Sequence, residues 1–90
     1  GDASAQYFLG FMYHKGQGVS QDYKTALKWY RLAAKQGDAG AQFNLCAMYS
    51  AGQGVPQNYK TSVKWFTLAA EQEFAIAQYN LGLDWKKATA

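Results

Sequence analysis

Apolar residues recur at helical spacing in the first fifteen positions of the chain. The recurring set is Ala5, Leu9, Met12 and Tyr13. These positions fall at i, i+4, i+7 and i+8, which places them on one face of an α-helix. The pattern predicts a helix over residues 2–15. A second apolar stripe predicts a helix over residues 22–36, and its inward set is Tyr23, Ala26, Leu27, Tyr30, Ala33 and Ala34.

Polar and glycine residues mark where these helices begin and end. Asp2, Asp22 and Asp38 precede the apolar stripes, where a carboxylate can accept hydrogen bonds from the open N–H groups of the first helical turn. Gly16 and Gly37 follow the stripes, and glycine tolerates the left-handed conformation that ends many helices.

The chain repeats itself with a period of 36 residues. Residues 1–36 and 37–72 align without a gap and are identical at 22 of 36 positions. A third copy begins at residue 73 and keeps Ala75, Ala77, Gln78, Leu81 and Gly82. Self-similarity at such a period is the signature of a stacked repeat architecture, in which each unit buries its apolar face against the next.

The repeat predicts one all-α solenoid domain over residues 1–90, built of antiparallel helix pairs. Two full repeats occupy residues 1–36 and 37–72, and a half repeat occupies 73–90. We expect five helices, at residues 2–15, 22–36, 38–51, 58–72 and 74–87, with a loop at 52–57. The last helix is expected to cap the stack. Asp84 stands where the other copies have Met12 and Met48, which suggests a wetter inner face on that helix.

Composition and charge limit the classes of partner that the chain could bind. The single cysteine, Cys46, allows no intrachain disulfide and is interpreted as a small core residue. No apolar run is long enough to insert into a membrane. The net charge of +3 is modest. The second helix carries a basic stripe made of Lys24, Lys28, Arg31 and Lys35. In the second repeat Lys60 and Lys64 remain, but Thr67 and Glu71 replace the last two basic residues. We therefore expect a solvated face rather than a nucleic-acid surface, with an acidic protein partner as the alternative.

No arrangement of residues suggests catalysis, a cofactor or a metal. The six acidic residues are scattered, and three of them precede predicted helices. His14 and Cys46 lie in different repeats without further ligands for zinc. The Gly-Gln-Gly runs at 16–18 and 52–54 follow helices and lack the lysine of a phosphate-binding loop, so they are interpreted as turns. We therefore expect that the protein is not an enzyme.

The repeated motifs resemble the Sel-one-like repeat (SLR) family, relatives of the tetratricopeptide repeat. The first copy carries the resemblance through Ala5, Leu9-Gly10, Tyr13, Gly16-Gln17-Gly18-Val19, Asp22, Lys24, Ala26, Trp29-Tyr30, Ala33-Ala34 and Gly37. The second copy departs at Cys46, Asn58 and Ser62, and the third matches only through Leu81-Gly82. The resemblance implies a right-handed superhelix and an adaptor or scaffold role in protein complexes.

In such superhelices the first helix of each repeat lines the concave surface. Spacing then predicts a groove for a protein or peptide partner, consisting of Tyr7, Phe11, His14, Phe43, Asn44, Tyr79, Asn80 and Leu83. Exposed aromatic side chains on adjacent helices suit binding, because they offer a large contact area at low entropy cost. The alternative is that some of these aromatics pack between the helices as ordinary core.

The sequence therefore predicts a protein–protein interaction scaffold without catalytic activity. The first alternative is a structural spacer, or a unit that associates with itself through the open ends of the solenoid. A remote alternative is a small-molecule-binding or hydrolytic protein.

Overall fold

A computed structural model describes residues 1–81, with side chains throughout except at Phe74 and residues 76–81. Four helices follow one another: α1 (Ala3–Lys15), α2 (Tyr23–Lys35), α3 (Ala39–Ala51) and α4 (Tyr59–Leu81). No strand occurs within residues 1–81. The predicted all-α class is confirmed.

Aspartate side chains start three of the helices, as predicted. The Asp2 carboxylate accepts from the Ser4 N–H at 2.9 Å, and the Asp38 carboxylate accepts from the Ala41 N–H at 2.8 Å. Asp22 caps α2 in the same way through Thr25. The Thr25 hydroxyl also donates to the Asp22 carboxylate, and this hydrogen bond, more than any other cause, lowers the pKa of Asp22. Each cap satisfies N–H groups that a helix leaves open in its first turn.

The helices pack as two hairpins stacked in one direction. Helix α1 pairs with α2, α3 pairs with α4, and α2 packs against α3 to join the hairpins. The centre of the core lies between α2 and α3. The buried apolar residues in this cluster are Ala26, Leu27, Tyr30, Ala33, Ala34, Ala41, Leu45, Met48 and Tyr49.

Equivalent residues in the two repeats differ in burial because their neighbours differ. Ala41, Leu45 and Met48 of α3 have no exposed surface. Their equivalents on α1 are an exposed Ala5 and a partly exposed Leu9 and Met12. The stripe of α3 lies on the preceding helix α2, and no described helix lies in the corresponding place before α1.

The helix count differs from the expectation. We predicted separate helices at 58–72 and 74–87, but residues 59–81 form one continuous helix, α4. The physical reason is the sequence at the expected break. Gly37 adopts a positive φ of 95° and Asp38 caps α3, whereas the equivalent residues are Glu73 and Phe74, which provide neither signal. The expected capping role of Asp84 lies outside the described residues.

Cys46 is only partly buried, on the α3 surface that contacts α4. Its Sγ lies 3.1 Å from the Ser62 hydroxyl oxygen, and that hydroxyl donates to the Cys46 carbonyl oxygen at 2.8 Å. The cysteine thus contributes to packing within the second hairpin, while its repeat equivalent, Gly10, is buried.

Candidate protein-binding surface

Tyr7 fills the space between the first helices of the two repeats. Its ring centroid lies 5.8 Å from that of Tyr30 on α2. On α3, a Cβ added to Gly40 would lie 3.0 Å from Cε1 of Tyr7, so the glycine allows the ring to approach the α3 backbone. Tyr7 is therefore half-buried and packed between α1 and α3, as the alternative interpretation of the groove aromatics envisaged.

Phe11 and Asn44 extend this contact on either side. The Phe11 ring stacks on Tyr7 with centroids 6.4 Å apart and an interplanar angle of 24°. From α3, the Asn44 side-chain amide donates to the Tyr7 hydroxyl at 3.5 Å. All three side chains are partly exposed. They form one surface across the two repeats.

Phe43 lies on the other side of α3, next to α4. It is partly exposed, and its ring meets that of Phe66 edge-to-face, with centroids 6.1 Å apart. We call Tyr7, Phe11, Phe43 and Asn44 together the aromatic strip.

His14 links the two repeats by hydrogen bonds. Its Nε2 lies 3.1 Å from the side-chain oxygen of Gln53, and its Nδ1 lies 3.3 Å from the Tyr30 hydroxyl. Because an amide oxygen accepts, Nε2 is the donor in the contact with Gln53. His14 is thus held at the end of the strip by partners on α2 and in the α3–α4 loop.

Tyr30 is the buried base of this region, with no exposed surface. Burial, more than any other cause, raises the pKa of Tyr30 to about 12, and the neighbouring Tyr7 phenol acts in the same direction. The Asn44 amide opposes the shift. The Tyr30 hydroxyl therefore stays protonated at neutral pH.

Three of the predicted groove residues fall where side chains are not described. Tyr79 and Asn80 belong to α4, but their side chains lie outside the described part, as does Leu83 altogether. Two residues that sequence reasoning left out of the groove, Gln53 and Phe66, contact the predicted set. Phe66 is the repeat equivalent of the inward residue Tyr30, so the alignment predicted a core residue there and not a contact of the groove. The contact of Gln53 with His14 spans 39 residues and has no local signal.

The described residues lack two features that would indicate other functions, a metal site and a membrane span. Residues 1–81 contain no group of three or more His, Cys, Asp or Glu side chains that could hold a metal ion. No helix in this part of the chain is both long and apolar enough to cross a membrane.

Stacked helical hairpins in a 36-residue register, with a surface continuing from one first helix to the next, define a helical repeat protein of the α-solenoid class. More particularly, the chain belongs to the Sel1 repeat family, whose model matches residues 3–38, 39–74 and 75–86. Proteins of this family generally act as protein–protein interaction modules, and the fold is typically a non-catalytic scaffold. The resemblance in the motifs is confirmed.

Solved structures and a curated relative agree with this assignment. A Sel1 repeat protein from Oxalobacter formigenes is 43% identical, with a TM-score of 0.79 over 90% of this chain and 33% of its own. A protective antigen of uropathogenic Escherichia coli with an SLR fold is 38% identical, with a TM-score of 0.79 over 92% of this chain and 19% of its own. Chitin synthase regulatory factor 3 of Schizosaccharomyces pombe is 54% identical over 37 residues, which are 41% of this chain and 4% of that protein. The chain thus spans a third or less of each of these proteins.

Proposed function

We propose that this chain binds a protein or peptide partner through the aromatic strip on α1 and α3. The observation that supports the proposal is the continuity of the strip across the repeat boundary. Tyr7 joins Phe11 on its own helix to Asn44 on the next, and each of these side chains keeps part of its surface open to solvent.

The aromatic side chains of the strip are already positioned by packing in the unbound chain. Tyr7 lies against Gly40 and Tyr30, and Phe43 lies against Phe66, so their rotamers are restricted by packing. A partner that covers such rings gains apolar contact without the full entropy cost of ordering them. Aromatic groups with this combination of area and rigidity are common binding hot spots.

Asn44 gives the strip a polar group that suits a peptide backbone. Its amide carries both a donor and an acceptor and lies among rings rather than in open solvent. His14, held by Tyr30 and Gln53, marks the edge of the surface.

The test uses peptides selected from a displayed random library against the wild-type chain. Selected peptides are titrated by calorimetry against wild type and against the double variant Phe11→Ala, Phe43→Ala. Truncation of a hot-spot aromatic costs about 1–2 kcal/mol or more, so we expect Kd to rise at least about tenfold.

The matched control is Leu32→Ala on α2. Leu32 is an apolar side chain with 39% of its surface exposed, and it lies outside the strip. This variant should bind the same peptides with the Kd of wild type. Equal Kd values for wild type and the double variant, with both folded by circular dichroism, would contradict the proposal.

A further inference from the structure

Helix α4 carries an apolar face that no described part of the chain covers. Tyr59, Val63 and Phe66 have 63%, 61% and 51% of their surfaces exposed. They fall at i, i+4 and i+7, so they share one side of the helix. We call these three residues the α4 face.

The same face is buried in the first repeat. Leu27 and Tyr30 of α2, the equivalents of Val63 and Phe66, are 4% and 0% exposed. Helix α3 turns back over α2 after the break at Gly37 and Asp38, and it completes the cover that α1 gives Tyr30 through Tyr7 and His14. Because α4 has no such break and continues to Leu81, no part of the chain within residues 1–81 returns over Val63 and Phe66 in this way.

Helix α1 has the residues needed to cover such a face. The inward positions of α3, which lie on α2, are Ala41, Gln42, Leu45, Met48 and Tyr49. The equivalent positions of α1 are Ala5, Gln6, Leu9, Met12 and Tyr13, identical at all five. On α1, however, Ala5 is exposed and the other four are partly exposed. We call these five residues the α1 face.

Gly54 makes a close backbone contact between the two repeats, and the equivalent glycine of the first repeat, Gly18, has no such contact. Gly54, in the loop after α3, approaches the start of α2 so closely that an added Cβ would lie 2.9 Å from the Tyr23 carbonyl. Its equivalent Gly18 meets only the end of the Met12 side chain. A helix stacked on α4 as α3 stacks on α2 would bring a Gly18 against the backbone of Tyr59.

We propose that the α1 face of a second copy docks on the α4 face of the first, in the position that α3 takes on α2. The contact is heterologous, since one copy uses its α1 face and the other its α4 face. Such an interface leaves one face of each kind unused and therefore adds further copies head to tail. The interface borders the aromatic strip at Phe43, which contacts Phe66 of the α4 face, but the proposal does not depend on the proposed function.

The remaining exposed apolar residues fit this arrangement. Phe8 is 62% exposed and is the repeat equivalent of Asn44, which contacts Tyr7 of the preceding repeat. Since Phe43 is the equivalent of Tyr7, stacking would bring Phe8 of one copy against Phe43 of the other. Leu32 and Leu68 are repeat equivalents and are both 39% exposed. Their exposure is the same although, among the described helices, a hairpin follows only Leu32. Stacking therefore leaves the two leucines in solvent and covers the aromatic and valine side chains.

The test compares Ala5→Glu, which blocks the α1 face, with Val63→Glu, which blocks the α4 face. Both positions are exposed, and glutamate is a good helix former, so both variants should keep the wild-type helical signal by circular dichroism. Leu68→Glu is the matched control, since it places the same charge on α4 at an apolar position outside the interface. Molar mass is measured by light scattering on the full chain from about 10 µM to about 1 mM, where interfaces of modest affinity become populated.

We expect the mass of wild type and of Leu68→Glu to rise above the monomer value of 10.0 kDa with concentration. Ala5→Glu and Val63→Glu should each stay at 10.0 kDa. An equimolar mixture of the two variants should form a dimer and nothing larger, because Val63→Glu still has an intact α1 face and Ala5→Glu an intact α4 face.

Several results would overturn the proposal. A strictly monomeric wild type means that the α4 face is not used by a second copy. Association of Ala5→Glu alone points instead to a symmetric contact that does not use the α1 face. Loss of association in Leu68→Glu, or a mixture that stays monomeric, is equally incompatible with head-to-tail docking.

Discussion

Replacing Gly10 by alanine should destabilise the fold, although alanine is the better helix former. Gly10 is buried in the middle of α1 and faces α2. A Cβ added there would lie 2.7 Å from Cδ1 and 2.8 Å from Cε1 of Tyr30. Real Cβ atoms do not approach that closely, so the Tyr30 ring or the helix must move.

The size of the effect depends on whether the Tyr30 ring can give way. It has no exposed surface, and the rings of Tyr7 and His14 each lie 5.8 Å from it, centroid to centroid. Overpacking a closed core costs about 1–3 kcal/mol, while replacing glycine by alanine in a helix gains about 1 kcal/mol. With the ring enclosed we expect the upper part of that cost, a net loss of about 1–2 kcal/mol. For a domain of this size the loss corresponds to a fall in Tm of about 5–15 °C.

The assay is thermal and urea unfolding of Gly10→Ala followed by circular dichroism at 222 nm. Ala47→Gly, at an exposed position of α3, measures the helix-propensity part alone and should cost about 1 kcal/mol. A Tm for Gly10→Ala at or above that of wild type would refute the reasoning, because the propensity gain would then outweigh the contact with Tyr30.

Two further predictions concern Tyr30 and the end of the second repeat. Because burial raises the pKa of Tyr30 from 10.0 to about 12, the unfolded chain releases this proton at lower pH than the folded one, so stability should fall as pH rises from 10.0 to about 12. Tyr30→Phe, measured by urea unfolding across that range, should lose less stability than wild type, and an equal loss would contradict a buried neutral phenol. Restoring the break with Glu73→Gly and Phe74→Asp should end α4 near residue 73, because these are the residues that separate α2 from α3. Amide hydrogen exchange at residues 73–76 should accelerate relative to wild type, and unchanged protection there would show that the local signals do not decide where α4 ends.

The helix starts and the fold class could be predicted because they depend on near neighbours and on repetition. Asp2, Asp22 and Asp38 cap N–H groups two or three residues away, so the sequence alone locates these helix starts. At Glu73 and Phe74 the local signals for a break are missing, and the sequence shows this directly. The prediction of a fifth helix relied instead on the repeat register and was wrong there.

Burial and the contacts of the candidate site could not be predicted in the same way. Tyr30 and Phe66 occupy one repeat position, yet Tyr30 has no exposed surface and Phe66 is 51% exposed, because within the described residues a following hairpin packs on α2 and none packs on α4. His14 binds Tyr30 and Gln53, which lie 16 and 39 residues away. Such contacts arise from how the hairpins stack, and no local pattern in the sequence encodes them.

The two surfaces respond differently to stacking, and this difference separates their roles. Tyr7 and Phe43 occupy one repeat position and are both partly exposed, although among the described helices only Tyr7 has a following first helix beside it. By contrast, the inward position shared by Leu27 and Val63 is 4% exposed in α2, on which α3 packs, and 61% exposed in α4, on which no later described helix packs. A surface that stays open in every repeat suits a ligand, whereas a surface that is buried wherever a neighbour exists suits assembly. If copies associate head to tail through the α1 and α4 faces, Phe43 would lie beside Phe8 of the next copy and should keep the partial exposure that Tyr7 has beside α3. Each added copy would then extend the aromatic strip by two helices.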